Sequence, residues 1–292
     1  MIKPAFSTVA CPDSTLGEVV QRARGAGFEA VELRTFGDAS RRFACDPALT
    51  DESKVREMFA SRGIEILSLA TSLRFDTRVS PPVLGLYLSD ADRAVREGKR
   101  AVDLAVGLEC PFVRVFAFEV PRREKRVRAL ARIISRLRDV LDHANNTGVR
   151  IILENGGSFP RASDIGQIIR ECNHPLIGAS YSLAAAVADG EDAGTAISVL
   201  GDRLWAARIK DLRDGIPCRL GEGDLPCRRF VGALAAAGFD GPLIFEWDRA
   251  WLPSLPPADQ VLPAAARTLF DWIAESGPGG SSSGRGRLQG SV

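Results

Sequence analysis

Short apolar runs and amphipathic stretches alternate along nearly the whole chain. Strand-like runs cover residues 5–10, 27–33, 64–70, 112–116, 149–154, 176–182, 204–210 and 243–246. Between and after them, helical periodicity predicts helices over 14–26, 51–62, 89–106, 124–147, 161–172, 192–200, 226–237 and 258–276. Ser14 reads as a cap with Glu18 near the first turn, while Gly27 and Gly63 read as helix stops. Strand-then-helix repetition of this kind argues for parallel strands joined by helical crossovers. Eight such units closing on themselves form an α/β (β/α)8 TIM barrel, here a single domain over residues 1–276. An open doubly wound sheet is the alternative, but the first turn has no G-x-G-x-x-G. Residues 277–292 are rich in Gly and Ser and lack the apolar groups that offset ordering entropy; they are expected to form a disordered tail.

Composition narrows the function classes. The 292 residues include 38 basic and 37 acidic side chains, so no overall charge favours nucleic acid or a membrane surface. No apolar run approaches the ~20 residues needed to span a bilayer, and the N-terminus has no signal-peptide core. Six cysteines without C-x-x-C spacing read as free thiols, which together with the absent export signal predicts a cytoplasmic protein.

In a barrel the C-terminal strand ends face the site. The side chains there include Glu32, Arg34, Ser72, Arg74, Arg114, Glu154, Asn155, Ser182, Arg208, Lys210, Glu246 and Asp248. Glu154 and Glu246 each end an apolar run, where a carboxylate is costly to bury unless it is paired or bound to metal. They read as paired acid/base groups or metal ligands, against a purely structural ion pair. Ala206, Arg208 and Lys210 alternate onto one strand face, so Arg208 supplies positive charge near both glutamates. Arg34, Arg74 and Lys210 suggest an anionic group on the ligand, and Trp247 is a candidate pocket wall. The run Leu220-Gly221-Glu222-Gly223-Asp224-Leu225 reads as a structural turn with Asp224 as helix cap, a phosphate cradle being the alternative. His143 and His174 fall in a helix and a loop, away from any strand end.

The motifs Gly27-Phe28-Glu29-Ala30-Val31-Glu32, Ile151-Ile152-Leu153-Glu154-Asn155, Arg208-Ile209-Lys210-Asp211, Leu220-Gly221-Glu222-Gly223-Asp224 and Gly241-Pro242-Leu243-Ile244-Phe245-Glu246-Trp247 occur in this order. With this spacing the chain resembles the xylose isomerase-like TIM-barrel superfamily, which includes sugar-phosphate isomerases and epimerases, inosose dehydratases and endonuclease IV. The resemblance implies a divalent metal such as Mn or Mg, held by Glu, Asp, His and Glu at the ends of strands five to eight. Glu154 and Glu246 match. The Asp position falls on Ser182, the His three residues later on Ala185, and the strand-seven His on Arg208. A serine hydroxyl is a poor ligand and an arginine repels a divalent ion, so no metal cofactor is expected.

The resemblance implies proton transfer next to a carbonyl by Glu154 and Glu246, with Arg208 in place of the metal's charge and Arg34, Arg74, Asn155, Ser182, Lys210 and Trp247 around a polyhydroxylated or anionic small-molecule substrate. A lyase or dehydratase uses the same parts. A non-catalytic barrel that binds a small anionic ligand or a partner is the reading from another class. Endonuclease-type DNA repair is disfavoured, since clustered metals need many histidines and the chain has 2. A homo-oligomer is left open.

Overall fold

A computed structural model of the chain describes residues 1–35, 51–77 and 90–277. Strands β1 (Lys3–Ser7), β2 (Ala30–Arg34), β3 (Glu65–Arg74), β4 (Phe112–Phe116), β5 (Arg150–Glu154), β6 (Ile177–Ser182) and β7 (Leu204–Ile209) build most of a barrel. A short hairpin of β8 (Asp211–Arg213) and β9 (Ile216–Cys218) comes next, and β10 (Pro242–Phe245) closes the ring. The strands run in the order β1-β10-β7-β6-β5-β4-β3-β2, every neighbour parallel. The helices are α1 (Leu16–Ala26), α2 (Glu52–Ala60), α3 (Asp90–Gly107), α4 (Arg126–Ala144), α5 (Ala162–Cys172), α6 (Leu183–Ala188), α7 (Ala193–Leu200), α8 (Cys227–Ala236) and α9 (Ala258–Ser276). The expected (β/α)8 barrel is therefore the fold. All of the proposed tail except Gly277 lies outside the described residues.

The caps explain where helices begin. Thr15, one residue later than expected, caps α1, and its backbone N–H donates to Glu18 in a reciprocal box. Asp51 and Asp192 cap α2 and α7 through their carboxylates. Pro226, rather than Asp224, precedes α8. The helix α6 and the β8–β9 hairpin were not anticipated. The first is only six residues long, and the second turns at Asp214-Gly215, both at positive φ, a two-residue hairpin signal that the strand–helix reading passed over.

Strand alternation divides the core into two shells. One set, including Phe6, Val31, Leu33, Val113, Val115, Ile151, Leu153, Ala207, Ile209 and Phe245, packs with the helices in the main apolar cluster. The other set fills the barrel. Near the N-terminal ends it is apolar, with Ala5, Ala30, Leu67 and Ile244 in one group and Phe112, Ile152 and Ala206 in another. Two residues further along β2, β4, β5, β7 and β10 the same register turns to charge, as Glu32, Arg114, Glu154, Arg208 and Glu246. An apolar floor thus supports a charged layer below the C-terminal mouth. Among the described residues no helix is long and apolar enough to cross a membrane. Cys110, Cys172, Cys218 and Cys227 are free thiols.

Candidate active site

Arg208 is the centre of the charged layer and is 1% exposed. Its guanidinium grips Glu32 of β2 with two parallel bonds, Nη1 to Oε2 at 2.6 Å and Nη2 to Oε1 at 2.7 Å. Nη2 also donates to Glu246 Oε1 at 2.6 Å, and Nε lies 3.1 Å from Glu154 Oε2. One cation therefore ties together carboxylates from β2, β5 and the end of β10. Arg114 of β4 donates from Nη1 to the same Glu154 oxygen at 2.8 Å. Lys210, just beyond β7, holds Asp248 at 2.7 Å.

The environment separates the two strand-end glutamates. Burial pushes Glu154 up, and the attraction of Arg208 and Arg114 does not cancel it, so its carboxyl is held above the usual range. Burial opposes ionisation of Glu246 as well, but Arg208 and Lys210 outweigh it and draw the group down to about 2. At Glu32 burial is again outweighed, here by Arg208, and the carboxyl is held low. Burial disfavours the Arg208 charge, yet Glu154, Glu246 and Glu32 together raise its proton affinity, so it stays a cation. Glu246 and Asp248 do the same for Lys210.

Above this layer lies a cavity of about 450 Å³, lined in part by Arg34, Arg114, Glu154, Ser182, Lys210 and Glu246. Arg34 is anchored by donation to the backbone oxygens of Ala70 and Thr71 and to Ser72 Oγ, and its guanidinium lies 5.6 Å from the Trp251 ring. Burial, with the Arg114 charge beside it, pulls Arg34 down to about 9. Asn155 borders the cavity, but its amide braces the strand ends. It accepts from the Ser182 N–H at 2.6 Å and donates to the Pro160 and Ser182 carbonyls.

Two expected site residues lie elsewhere. Arg74 does not line the cavity: it pairs with Asp76 at 2.8 Å and stacks 4.3 Å from the Phe118 ring centre. Trp247 is 3% exposed and turns into the core, donating from Nε1 to the Pro256 carbonyl; Trp251 borders the cavity instead. Conversely, Glu32, Arg114 and Asp248 stood among the strand-end groups without an assigned role, and the structure builds all of them into the site. The available signal was a lone charge inside an apolar strand, as in Phe112-Val113-Arg114-Val115-Phe116, in phase with Glu154 and Arg208.

The glycine turn is closed to phosphate. The Asp211 carboxylate, 1% exposed, already accepts from the backbone N–H groups of Gly221, Gly223 and Leu225.

The four positions where the family resemblance implies a metal hold Glu154, Ser182, Arg208 and Glu246. These residues do not fit a divalent ion. The Arg208 guanidinium stands between the two carboxylates at 3.1 Å and 2.6 Å, so a tethered cation takes the place of the free one. The described residues offer no group of three His, Cys, Asp or Glu side chains that could hold a metal ion.

The molecule is a closed (β/α)8 barrel whose charged side chains converge at the C-terminal strand ends, the face where barrels of this architecture carry their sites. The chain belongs to the xylose isomerase-like TIM-barrel family, whose model matches residues 20–275. Among solved structures it is similar to an L-ribulose 3-epimerase, with a TM-score of 0.78 and 18% identity over 94% of this chain and 96% of that one. The IolI protein with a bound zinc atom gives 0.78 and 19% identity over 94% and 99%. The probable 3-DHS dehydratase AsbF from Bacillus anthracis gives 0.75 and 14% over 92% and 99%. At these identities the likeness is one of fold. No curated protein sequence matches the chain.

Proposed function

We propose that the cavity binds a small polyhydroxylated or anionic molecule and moves a proton on the carbon next to its carbonyl, as isomerases and epimerases do. The observation that supports this reading is that Glu154 of β5 and Glu246 at the end of β10 meet on one cavity with a single guanidinium between them. Burial leaves Glu154 the stronger base of the pair and assigns it the abstraction. Glu154 then gives the proton it took back to the substrate, while Glu246, held ionised, has no proton to give and accepts hydrogen bonds from the substrate's hydroxyl groups. Arg208 and Arg114 supply the positive charge against which an enediolate oxygen develops, so the chemistry needs no divalent ion. A lyase uses the same groups when a leaving group sits beside the abstracted proton. The epimerases and the dehydratase that share the fold agree with either outcome.

The test is solvent exchange. Ketoses, sugar acids and oxo acids are incubated with the protein in D2O, and loss of the C–H signal next to the carbonyl is followed by proton NMR. Exchange of at least one compound is expected, slowed about 100-fold or more by Glu154→Gln or Glu246→Gln. Full exchange in either variant sinks the assignment. A second reading, a non-catalytic binder, is favoured by the extent to which the Arg208 N–H groups are committed to protein carboxylates. It predicts a ligand that raises the melting temperature without any exchange.

A further inference from the structure

We infer that Arg114 is a carboxylate-binding residue of this cavity, and that the ligand is therefore a hydroxy- or oxo-acid rather than a neutral sugar. The inference rests on reading the cavity as a small-molecule site, and it adds the ligand's chemical class.

The protein uses only part of the donor capacity of Arg114. The side chain comes from the middle of β4, is 4% exposed and borders the cavity. Among the described residues it has a single hydrogen-bond acceptor, Glu154 Oε2, reached through Nη1. Its Nε is buried with no partner. The guanidinium centre lies 4.6 Å from the Phe116 ring centre, so its plane is fixed by packing as well as by charge. One end of the fork is thus anchored while the Nε–Nη2 edge is left without an acceptor. That edge presents two parallel N–H groups, the pattern that a carboxylate fills with two bonds. Arg208 differs, because Glu32 and Glu246 already occupy its fork. Lys210 is held by Asp248.

The position also constrains the ligand. Arg114 and Arg208 converge on one oxygen of Glu154. A carboxylate on the free edge of Arg114 therefore lies one guanidinium away from the group assigned to take the proton. The carbon acid is then next to, or one carbon removed from, the ligand's carboxylate.

The experiment uses the full chain and two probes that differ in one group, D-gluconate and sorbitol, measured by calorimetry and thermal shift. The wild type is expected to bind gluconate about tenfold tighter than sorbitol, the increment of one charge-assisted hydrogen-bonded pair. In Arg114→Gln the two should bind alike. Arg114→Lys keeps a positive charge beside Glu154 and so guards against misfolding; it is expected to lose most of the preference because it lacks the fork. Equal binding of the two probes by the wild type, no binding of gluconate at millimolar concentration, or an unchanged preference in folded Arg114→Lys overturns the inference. Binding of gluconate, which has no aldehyde or ketone carbonyl, is read by calorimetry and thermal shift and needs no proton exchange, so this result is independent of the exchange assay. A neutral ketose that exchanges while gluconate fails to bind would reject the acid ligand and leave the proton-transfer reading standing.

Discussion

Arg208 and Asp211 stand three residues apart at the end of β7, and each fills an ion's place with a side chain of the protein itself. Asp211 gives its carboxylate to a loop that comes back within 14 residues, accepting from the N–H groups of Gly221, Gly223 and Leu225. The loop is shaped around it: a Cβ on Gly223 would lie 2.2 Å from Asp211 Oδ1, so only glycine lets the backbone approach. Arg208 instead binds across the barrel, to Glu32 at a separation of 176 residues and to Glu246 at 38. Two of its carboxylate partners, Glu154 and Glu246, border the cavity. The local circuit is sealed and builds a turn. The long-range one holds two strand-end carboxylates that can still meet a ligand. An internal counter-ion is structural or functional according to what its partners face.

Removing Arg208 should have the largest effect. Arg208→Met leaves Glu32, Glu154 and Glu246 buried without their shared cation, and breaking such a buried arrangement costs about 3–5 kcal/mol. Denaturant unfolding at pH 7 checks this. The pH dependence should also invert. Stranded carboxylates have raised proton affinity when folded, so their stabilising contribution is present in acid and is lost as pH rises. The variant should then lie closer to the wild type at pH 5 than at pH 7. Adding Ser182→Asp with Arg208→His restores the donor set that the family resemblance implies, and this double variant should regain stability when Mn(II) is added. Wild-type stability in Arg208→Met would remove Arg208 from the centre of the site.

The sealed circuit should respond less. Asp211→Ala removes one carboxylate but leaves N–H groups that water can partly reach, at a cost of about 2–3 kcal/mol. Asp211→Asn keeps one oxygen acceptor and should lose about half of that. Thermal unfolding of the two variants orders them. A larger loss from Asp211→Ala than from Arg208→Met would reverse the comparison.

Much of this was legible in the sequence because it depends on period. Strand–helix alternation specified the barrel, and the ends of the apolar runs at Glu154, Arg208 and Glu246 specified where charge would gather. Glu32 and Arg114 were visible as charges inside strands, but their partners were not. Pairing Glu32 with Arg208 depends on closure of the ring, which joins strands far apart in sequence. Arg74 and Trp247 failed for the converse reason. Each follows or ends a strand in the right neighbourhood, but β3 runs on to Arg74 with a register shift after Ala70, and local partners capture both side chains. Sequence position gives the mouth of the barrel, and only the rotamer decides which side chains look into it.

Arg74 supplies the smallest effect and the sharpest control. It forms the same kind of Arg–carboxylate contact as Arg208 does with Glu32, with Nη2 to Asp76 Oδ2 at 2.8 Å, but its side chain is 44% exposed. The hydrogen bonds it donates to Asp76 outweigh the opposing effect of burial, so its proton affinity is raised. Asp76 beneath it is only 4% exposed, but truncating a half-exposed guanidinium opens that carboxylate to water, which holds the loss to about 1 kcal/mol. Arg74→Ala should therefore shift unfolding by no more than that and leave the gluconate preference untouched, while Arg114→Lys abolishes most of it. Loss of the preference in Arg74→Ala would mean that the ligand extends past Phe118 to the rim of the barrel, and the anionic end of the site would then be read at β3 rather than at β4.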